Sequence, residues 1–283
     1  MDAKINTFIT LCETLNYRAA SEILHITQPA VTKQIQSLEQ EYNVKLFNYD
    51  GRKLTITEKG QIFLDYSRSL MNNYKELENV MSQEDIRELR VGVTKTIGEY
   101  VIGEWVAKYL KESKRKLKLV VDNTDSLVNM LNDNMLDFIL AEGMFCKERY
   151  DYRLFREEKY TGICNSSHPF AGKRITVDRL KQERLIVREE GSGTRKFFQR
   201  ELEESGYSLE IFDNLVTVSS FEVIRELIKE NIGITFGYKS ITKDEKEFSY
   251  FTVDGWRDKH EFNIVYLKHT NAGKLVDEFF IKN

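Results

Sequence analysis

Residues 27–39 read Thr27-Gln28-Pro29-Ala30-Val31-Thr32-Lys33-Gln34-Ile35-Gln36-Ser37-Leu38-Glu39. Val31, Ile35 and Leu38 recur at steps of four and three, the spacing of one apolar helix face. Thr27 offers a side-chain oxygen as N-cap. Pro29 falls in the first turn, where its missing N–H costs nothing. The opposite face presents Pro29, Thr32, Lys33 and Gln36, with Gln28 at the helix tip. Just upstream, Arg18-Ala-Ala-Ser-Glu-Ile-Leu24 is a second short helical pattern, and His25-Ile26-Thr27 is a tight polar corner between the two. This layout sets a second helix into the DNA major groove. The exposed types suit that task. Gln can bond adenine at two points, a Thr methyl can touch a thymine methyl, and Lys can reach guanine or phosphate. Taken alone, the segment also reads as an ordinary amphipathic helix with a solvated face.

Ile5, Phe8, Ile9, Cys12 and Leu15 give a preceding helix with one buried face, and small Ala19 and Ala20 allow two helices to cross closely. Together, Phe8, Ala19-Ala20, Leu24, Thr27 to Thr32, Gln34-Ile35, Leu38-Glu39, Leu46-Phe47, Leu54-Thr55, Thr57 and Gly60 resemble the winged helix-turn-helix of LysR-type transcriptional regulators. The resemblance implies base contacts from Gln28, Pro29, Thr32 and Lys33, to which the exposed face adds Gln36. It also implies a wing hairpin over residues 45–56 with Arg52 and Lys53 near phosphates. Two positions depart from the family pattern. Asn43 stands where a glycine is usual, and Asn tolerates the same left-handed backbone. Tyr49 stands where an arginine is usual, so a phosphate contact is lost or passes to Arg52. Residues 1–57 hold six basic and six acidic side chains. Phosphate contacts dominate DNA affinity, so the bases must be segregated toward the groove.

Thr57 can cap a long helix over about residues 58–83. Phe63, Tyr66, Leu70, Asn73, Leu77 and Val80 recur along it as a heptad seam. That predicts a dimer helix placing two reading heads on two half-sites; packing against its own domain is the other reading. The resemblance also implies a homodimer or homotetramer on a double-stranded operator, with RNA polymerase as a candidate further partner. Residues 84–88 read as a hinge.

From residue 89 the pattern alternates between strand and helix, implying open α/β sheets with mainly parallel strands. Strands are expected at 89–94, 117–121, 136–140, 184–188, 215–218, 232–236 and 262–267. Helices are expected at 99–111, 125–133, 195–205, 221–230 and 272–282. Ligands in such sheets bind at the carboxyl ends of strands. Two loops there offer hydroxyls and small residues at a helix start: Thr94-Lys95-Thr96-Ile97-Gly98 and Glu190-Gly191-Ser192-Gly193-Thr194-Arg195. Either could hold an anion such as a carboxylate, and either could be a simple capped turn. The stretches 188–195 and 222–236 resemble the effector domain of the same family, a pair of α/β lobes like periplasmic binding proteins. Carried over by position, effector contacts fall on Thr94, Lys95, Thr96, Ser192, Gly193, Thr194 and Tyr238. The expected division is a reader (1–57), a linker helix (58–83), a hinge (84–88) and a two-lobed effector domain (89–283). Lobe I takes 89–162 and 264–283, and lobe II takes 163–263.

Composition bounds the rest. The 283 residues carry a net charge of −3, so the whole molecule is not polybasic. No run reaches the ~18 apolar residues of a membrane span, and no leader segment is evident, so a cytoplasmic protein without membrane contact is expected. Three scattered cysteines suit neither a disulfide framework nor a zinc cluster. The four histidines lack ligand spacing, and Ser192 has no evident base, so no enzyme, metal or cofactor is expected. A redox-sensing regulator using Cys146 and Cys164 is the alternative, because both fall near loops of the sensing half, with Lys147 and Arg149 beside Cys146.

Overall fold

The computed structural model describes residues 3–81, 87–112, 114–142, 145–243 and 245–280, with the side chains of residues 79 and 80 outside that set. Contacts divide the chain into two compact units: Met1–Glu84 with Leu267–Asn271, and Asp85–Tyr266 with Ala272–Asn283.

The first unit contains α1 (Ala3–Thr14), α2 (Tyr17–Leu24), α3 (Gln28–Tyr42), the hairpin β1 (Phe47–Tyr49) and β2 (Leu54–Ile56), and α4 (Glu58–Met81). Capping sets the helix boundaries. Asn16 accepts from the Arg18 and Ala19 amides to start α2, and His25 ends it in the left-handed region at φ 53°. Thr27 accepts from the Ala30 amide to start α3, and Asn43 ends it at φ 51°, the left-handed conformation expected of that position. Phe8, Leu11, Ala20, Val31, Ile35, Leu38 and Leu46 form one core beneath the three helices. Thr57 caps α4 by accepting from the Gly60 amide, and donates its own hydroxyl to the Lys45 carbonyl. A Cβ on Gly60 would lie 2.2 Å from the Leu46 carbonyl oxygen, so only glycine lets α4 start this close to the wing.

The second unit alternates β3 (Glu88–Thr94), α5 (Lys95–Tyr100), α6 (Gly103–Leu110), β4 (Lys116–Asp122), α7 (Thr124–Asn132) and β5 (Phe138–Glu142). It continues through β6 (Tyr150–Asn165), β7 (Arg174–Ile175), α8 (Val177–Leu180), β8 (Leu185–Val187), α9 (Gly193–Glu204), β9 (Leu215–Thr217) and α10 (Phe221–Lys229). It ends with β10 (Ile234–Tyr238), β11 (Phe248–Val253), β12 (Lys259–Leu267) and α11 (Ala272–Phe279). The strand order is β4-β3-β5-β12-β6-β10-β8-β9, with β11 against β6 and β7. Within each half the strands are parallel: β3 with β4 and β5, and β8 with β9 and β10. The antiparallel pairs of this unit come from the two long strands, β12 on β5 and β6 on β10 and β11.

Several expected elements shift. The helix at 99–111 is two helices, because the Ile97 carbonyl takes both the Val101 and Ile102 amides and closes α5. The strand expected at 136–140 starts at Phe138. Asp137 is held in the preceding turn, accepting from the Arg90 amide and from the guanidinium groups of Arg90 and Arg87. That shift puts Glu142 at the tip of β5, while its expected neighbour Gly143 lies outside the described residues. Strand 232–236 likewise runs two residues later and ends at Tyr238. β6 and β11 were not expected; the first half of β6, Asp151 to Lys159, is charged and largely exposed, which hides its strand pattern. The hinge expected at 84–88 falls mostly outside the described residues.

Candidate functional site

In α3 the apolar side is sealed: Val31, Ile35 and Leu38 are at most 2% exposed. Gln28, Pro29, Lys33 and Gln36 are exposed on the other side. Thr32 is half-buried and donates its hydroxyl to the Gln28 carbonyl, leaving its methyl to face outward chemistry. The neutral charge balance of this region resolves into local pairs. Lys4 pairs with Glu41, Arg18 with Glu22, and Lys45 with Glu39. Lys33, Arg52 and Lys53 make no ion pair among the described residues. Arg52 and Lys53 sit at the wing tip, where their backbone amides donate to Asp50 Oδ1 at 2.9 and 2.7 Å. Those bonds hold the Asp50 carboxyl below its ordinary range and fix the tip without engaging either basic side chain. Tyr49, in the place of the usual arginine, bonds the Gly51 carbonyl.

On α4, Tyr66, Leu70 and Leu77 are each more than half exposed among the described residues, with the His269 ring stacked on Tyr66 at 4.8 Å. Phe63 is half-buried and also serves the local core. Its ring packs edge-on to Phe8 and Tyr42, with centroids 4.9 and 5.1 Å apart, because α4 lies closest to the reader core at that turn. Phe63, Tyr66 and Leu70 nevertheless line one groove of about 510 Å³ together with Ile5, Tyr42 and Ile62. The side chain of Val80 lies outside the described residues.

The second unit brings the two expected loops together. Thr94 ends β3 and Thr96 stands in α5, while Ser192, Gly193 and Thr194 start α9. Between them lies a residue the sequence reading did not assign a role, Glu142. A Cβ on Gly193 would meet Glu142 Oε2 at 2.7 Å and the Thr124 hydroxyl at 3.0 Å, so the glycine permits the start of α9 to touch the tip of β5. The hydroxyls of Thr124, Thr194 and Tyr238 are buried and have no hydrogen-bond partner among the described residues, and those of Thr94 and Thr96 are buried beside the Glu142 carboxyl. Burial pushes the Glu142 carboxyl up, against the opposing pull of hydrogen bonding from Thr96, the positive charge of Arg188 and hydrogen bonding from Thr94.

The cations of the cleft are already engaged. Arg188 grips Glu189 through two bonds of 2.8 and 2.9 Å and lies over the Phe221 ring. Lys95 reaches the same carboxylate at 3.2 Å and the Ser219 carbonyl at 3.0 Å. Despite burial, these partners hold the Glu189 carboxyl below its ordinary range. Tyr160 donates to the Thr194 carbonyl, and Asn263 leaves its Oδ1 unpartnered nearby in sequence to His260, whose Nε2 is also orphaned. Glu142, Thr124, Arg188 and Glu189 thus join the expected contacts. The only sequence signal for Glu142 is a carboxylate ending the apolar run Phe138-Ile-Leu-Ala141.

The two cysteines differ. Cys164 is buried, and that burial pushes its thiol up to about 12, which opposes thiolate chemistry. Cys146 is exposed and contacts Glu148. Among the described residues no cluster of potential metal ligands occurs, and no helix is long and apolar enough to cross a membrane.

Residues 3–61 match the family profile described as bacterial regulatory helix-turn-helix protein, lysR family, and residues 82–280 match that of the LysR substrate binding domain. Among curated relatives, the RuBisCO operon transcriptional regulator of Allochromatium vinosum is 27% identical over 272 residues, covering 93% of this chain and 88% of that protein. The HTH-type transcriptional regulator CysL of Bacillus subtilis is 25% identical over 270 residues, with coverages of 93% and 89%. An H2O2-bound mutant of Corynebacterium glutamicum OxyR shares the fold at TM-score 0.60 and 18% identity, with coverages of 98% and 89%. The regulatory domain of Synechocystis PCC6803 CcmR in complex with 2-PG does so at TM-score 0.59 and 21% identity, covering 68% of this chain and 95% of that one.

Proposed function

Since the chain belongs to the LysR family of bacterial transcriptional regulators, we propose that it reads a specific duplex operator under the control of a small anionic effector held between the lobes of residues 89–283. Gln28, Pro29, Thr32, Lys33 and Gln36 face base edges, and Arg52 and Lys53 meet the flanking phosphates. The exposed row Tyr66, Leu70 and Leu77 pairs two copies, so that two reading heads address two half-sites. A homotetramer follows if two such dimers associate.

The observation that supports this reading best is the division of α3 into a sealed apolar side and an exposed polar edge whose one basic residue, Lys33, makes no ion pair among the described residues. Three other basic residues of the same unit, Lys4, Arg18 and Lys45, each pair with a carboxylate. The effector reading draws on five buried hydroxyls, Thr94, Thr96, Thr124, Thr194 and Tyr238, at the carboxyl ends of β3 and β10 and at the starts of α5, α7 and α9. An oxyanion would satisfy several at once. It can shift an arrangement of the lobes only if it binds the two arrangements unequally. A gel-shift titration on DNA from the region upstream of this gene tests the reading edge. Lys33→Ala is expected to weaken binding, and unchanged affinity removes Lys33 from the interface.

A further inference from the structure

We propose that the cleft takes up one proton, at Glu142, each time it binds a small oxyanion. The proposal rests on the effector reading above and adds a condition to it: the ligand enters with a proton from solvent.

The geometry sets the requirement. Glu142 is 2% exposed and its carboxyl abuts Gly193, at the place an oxyanion would approach the start of α9. The Thr94 and Thr96 hydroxyls lie beside that carboxyl and the Thr124 hydroxyl lies beside Gly193, and all three can donate to oxygen atoms. Charge does not favour an anion there as the site stands. Lys95 and Arg188 are the cations of this pocket, and both are held by Glu189. With Glu142 ionised, two positive charges face two negative ones, and the incoming ligand meets a desolvated carboxylate that Arg188, already paired with Glu189, only partly offsets. Like charges sharing one dry site cannot both stay ionised at low cost. Protonation removes that repulsion and converts Glu142 from acceptor to donor. The step balances as carboxylate plus solvent proton plus oxyanion giving a neutral carboxyl hydrogen-bonded to the oxyanion; no covalent bond is made or broken besides that O–H.

The other titratable groups facing the pocket do not supply the proton site. Burial keeps the Tyr160 and Tyr238 phenols neutral, as donors. Burial, with Arg257 and Arg200 nearby, pushes His260 down to about 4, so its ring is neutral at ordinary pH. Arg195 is bonded to the Arg188 carbonyl and lies 3.8 Å from exposed Glu190. Asp125 is paired with Lys196, and Asp122 is bonded to Ser126 and the Asn123 amide. Of these groups only Glu142 is a buried acid with no ion pair of its own among the described residues.

The test is sulfate binding to the full-length protein by titration calorimetry from about pH 5.5 to 8.5, a range over which free sulfate keeps its charge and a raised carboxyl can change its own. Buffers of different ionisation enthalpy count the protons taken up. The expected result is affinity falling by up to about tenfold per pH unit, with uptake approaching one proton. Glu142→Gln should flatten the profile and bind sulfate more tightly than the parent at the alkaline end. His260→Gln should keep the slope. A flat profile in the parent, or a slope that survives Glu142→Gln, overturns the proton coupling while leaving the cleft as the site, provided Thr96→Val still weakens binding. Sulfate binding indifferent to Thr96→Val, or no saturable binding at the acid end, overturns the oxyanion cleft itself and the proposal with it.

Discussion

The reading edge of α3 and the cleft beneath α9 both present polar groups that lack protein partners, but under opposite conditions. On α3 the groups lie in water, which solvates them at no cost to folding. In the cleft they are dry, and each unsatisfied buried polar group costs about 1–3 kcal/mol. The reader is therefore complete as folded and waits for DNA to replace its water. The cleft keeps its hydroxyls away from the surface, and a ligand that bonds several of them is held from more than one element. A surface that reads and a pocket that senses can be told apart by where their unpaired groups sit.

Four experiments break or sharpen that contrast, in order of expected size. Ile35→Ala removes a 2% exposed anchor of α3 and should destabilise the first unit by about 2–5 kcal/mol. Denaturant unfolding followed by DNA titration should show the reader lost; retained binding would mean the edge does not depend on its apolar side. Lys33→Ala should weaken operator binding by about 1–3 kcal/mol and lower the salt slope by about one. An equal loss with no change in slope would assign Lys33 a base contact alone.

Glu142→Gln tests the dry side by stability. The folded carboxyl is pushed up by burial, whereas the unfolded one ionises near pH ~4.3. Wild-type stability is thus fully present below that value and declines as pH rises, since ionisation then favours the unfolded chain. Urea unfolding should find the Gln variant more stable by about 1–2 kcal/mol at pH ~8, with little difference at pH ~4. A variant less stable at both values would show that the carboxyl is satisfied as it stands. The smallest effect concerns crosstalk. Thr96→Ala with Ser192→Ala should blunt the effector response yet change DNA affinity without effector by less than about 0.5 kcal/mol. Loss of DNA binding with an intact response would exchange the two assignments.

The same contrast explains what could be read from the amino acids. The reader was legible because its signals are local: Thr27 before Pro29, a period set by Val31, Ile35 and Leu38, and Asn43 able to take a positive φ. The effector loops were legible as helix starts near 94–96 and 192–194. Glu142 was not, because its role depends on Gly193, Thr124 and Thr96 arriving from three other elements. Phe63 fits a heptad as well as it fits a local core, and periodicity alone could not show that Phe8 and Tyr42 meet it. β6 escaped notice because its first half is charged and solvated, although its second half, from Tyr160 to Cys164, is buried.

The account stands most directly on selection of bound duplexes from a random DNA pool by the full-length protein. It predicts enrichment of a sequence with two related half-sites, centred about one helical turn or a multiple of ~10.5 bp apart. Gln28→Ala with Lys33→Ala should erase that preference while leaving Glu142-dependent sulfate binding in place. Enrichment of the same sequence by the doubly substituted protein, or no enrichment by the parent, would contradict it.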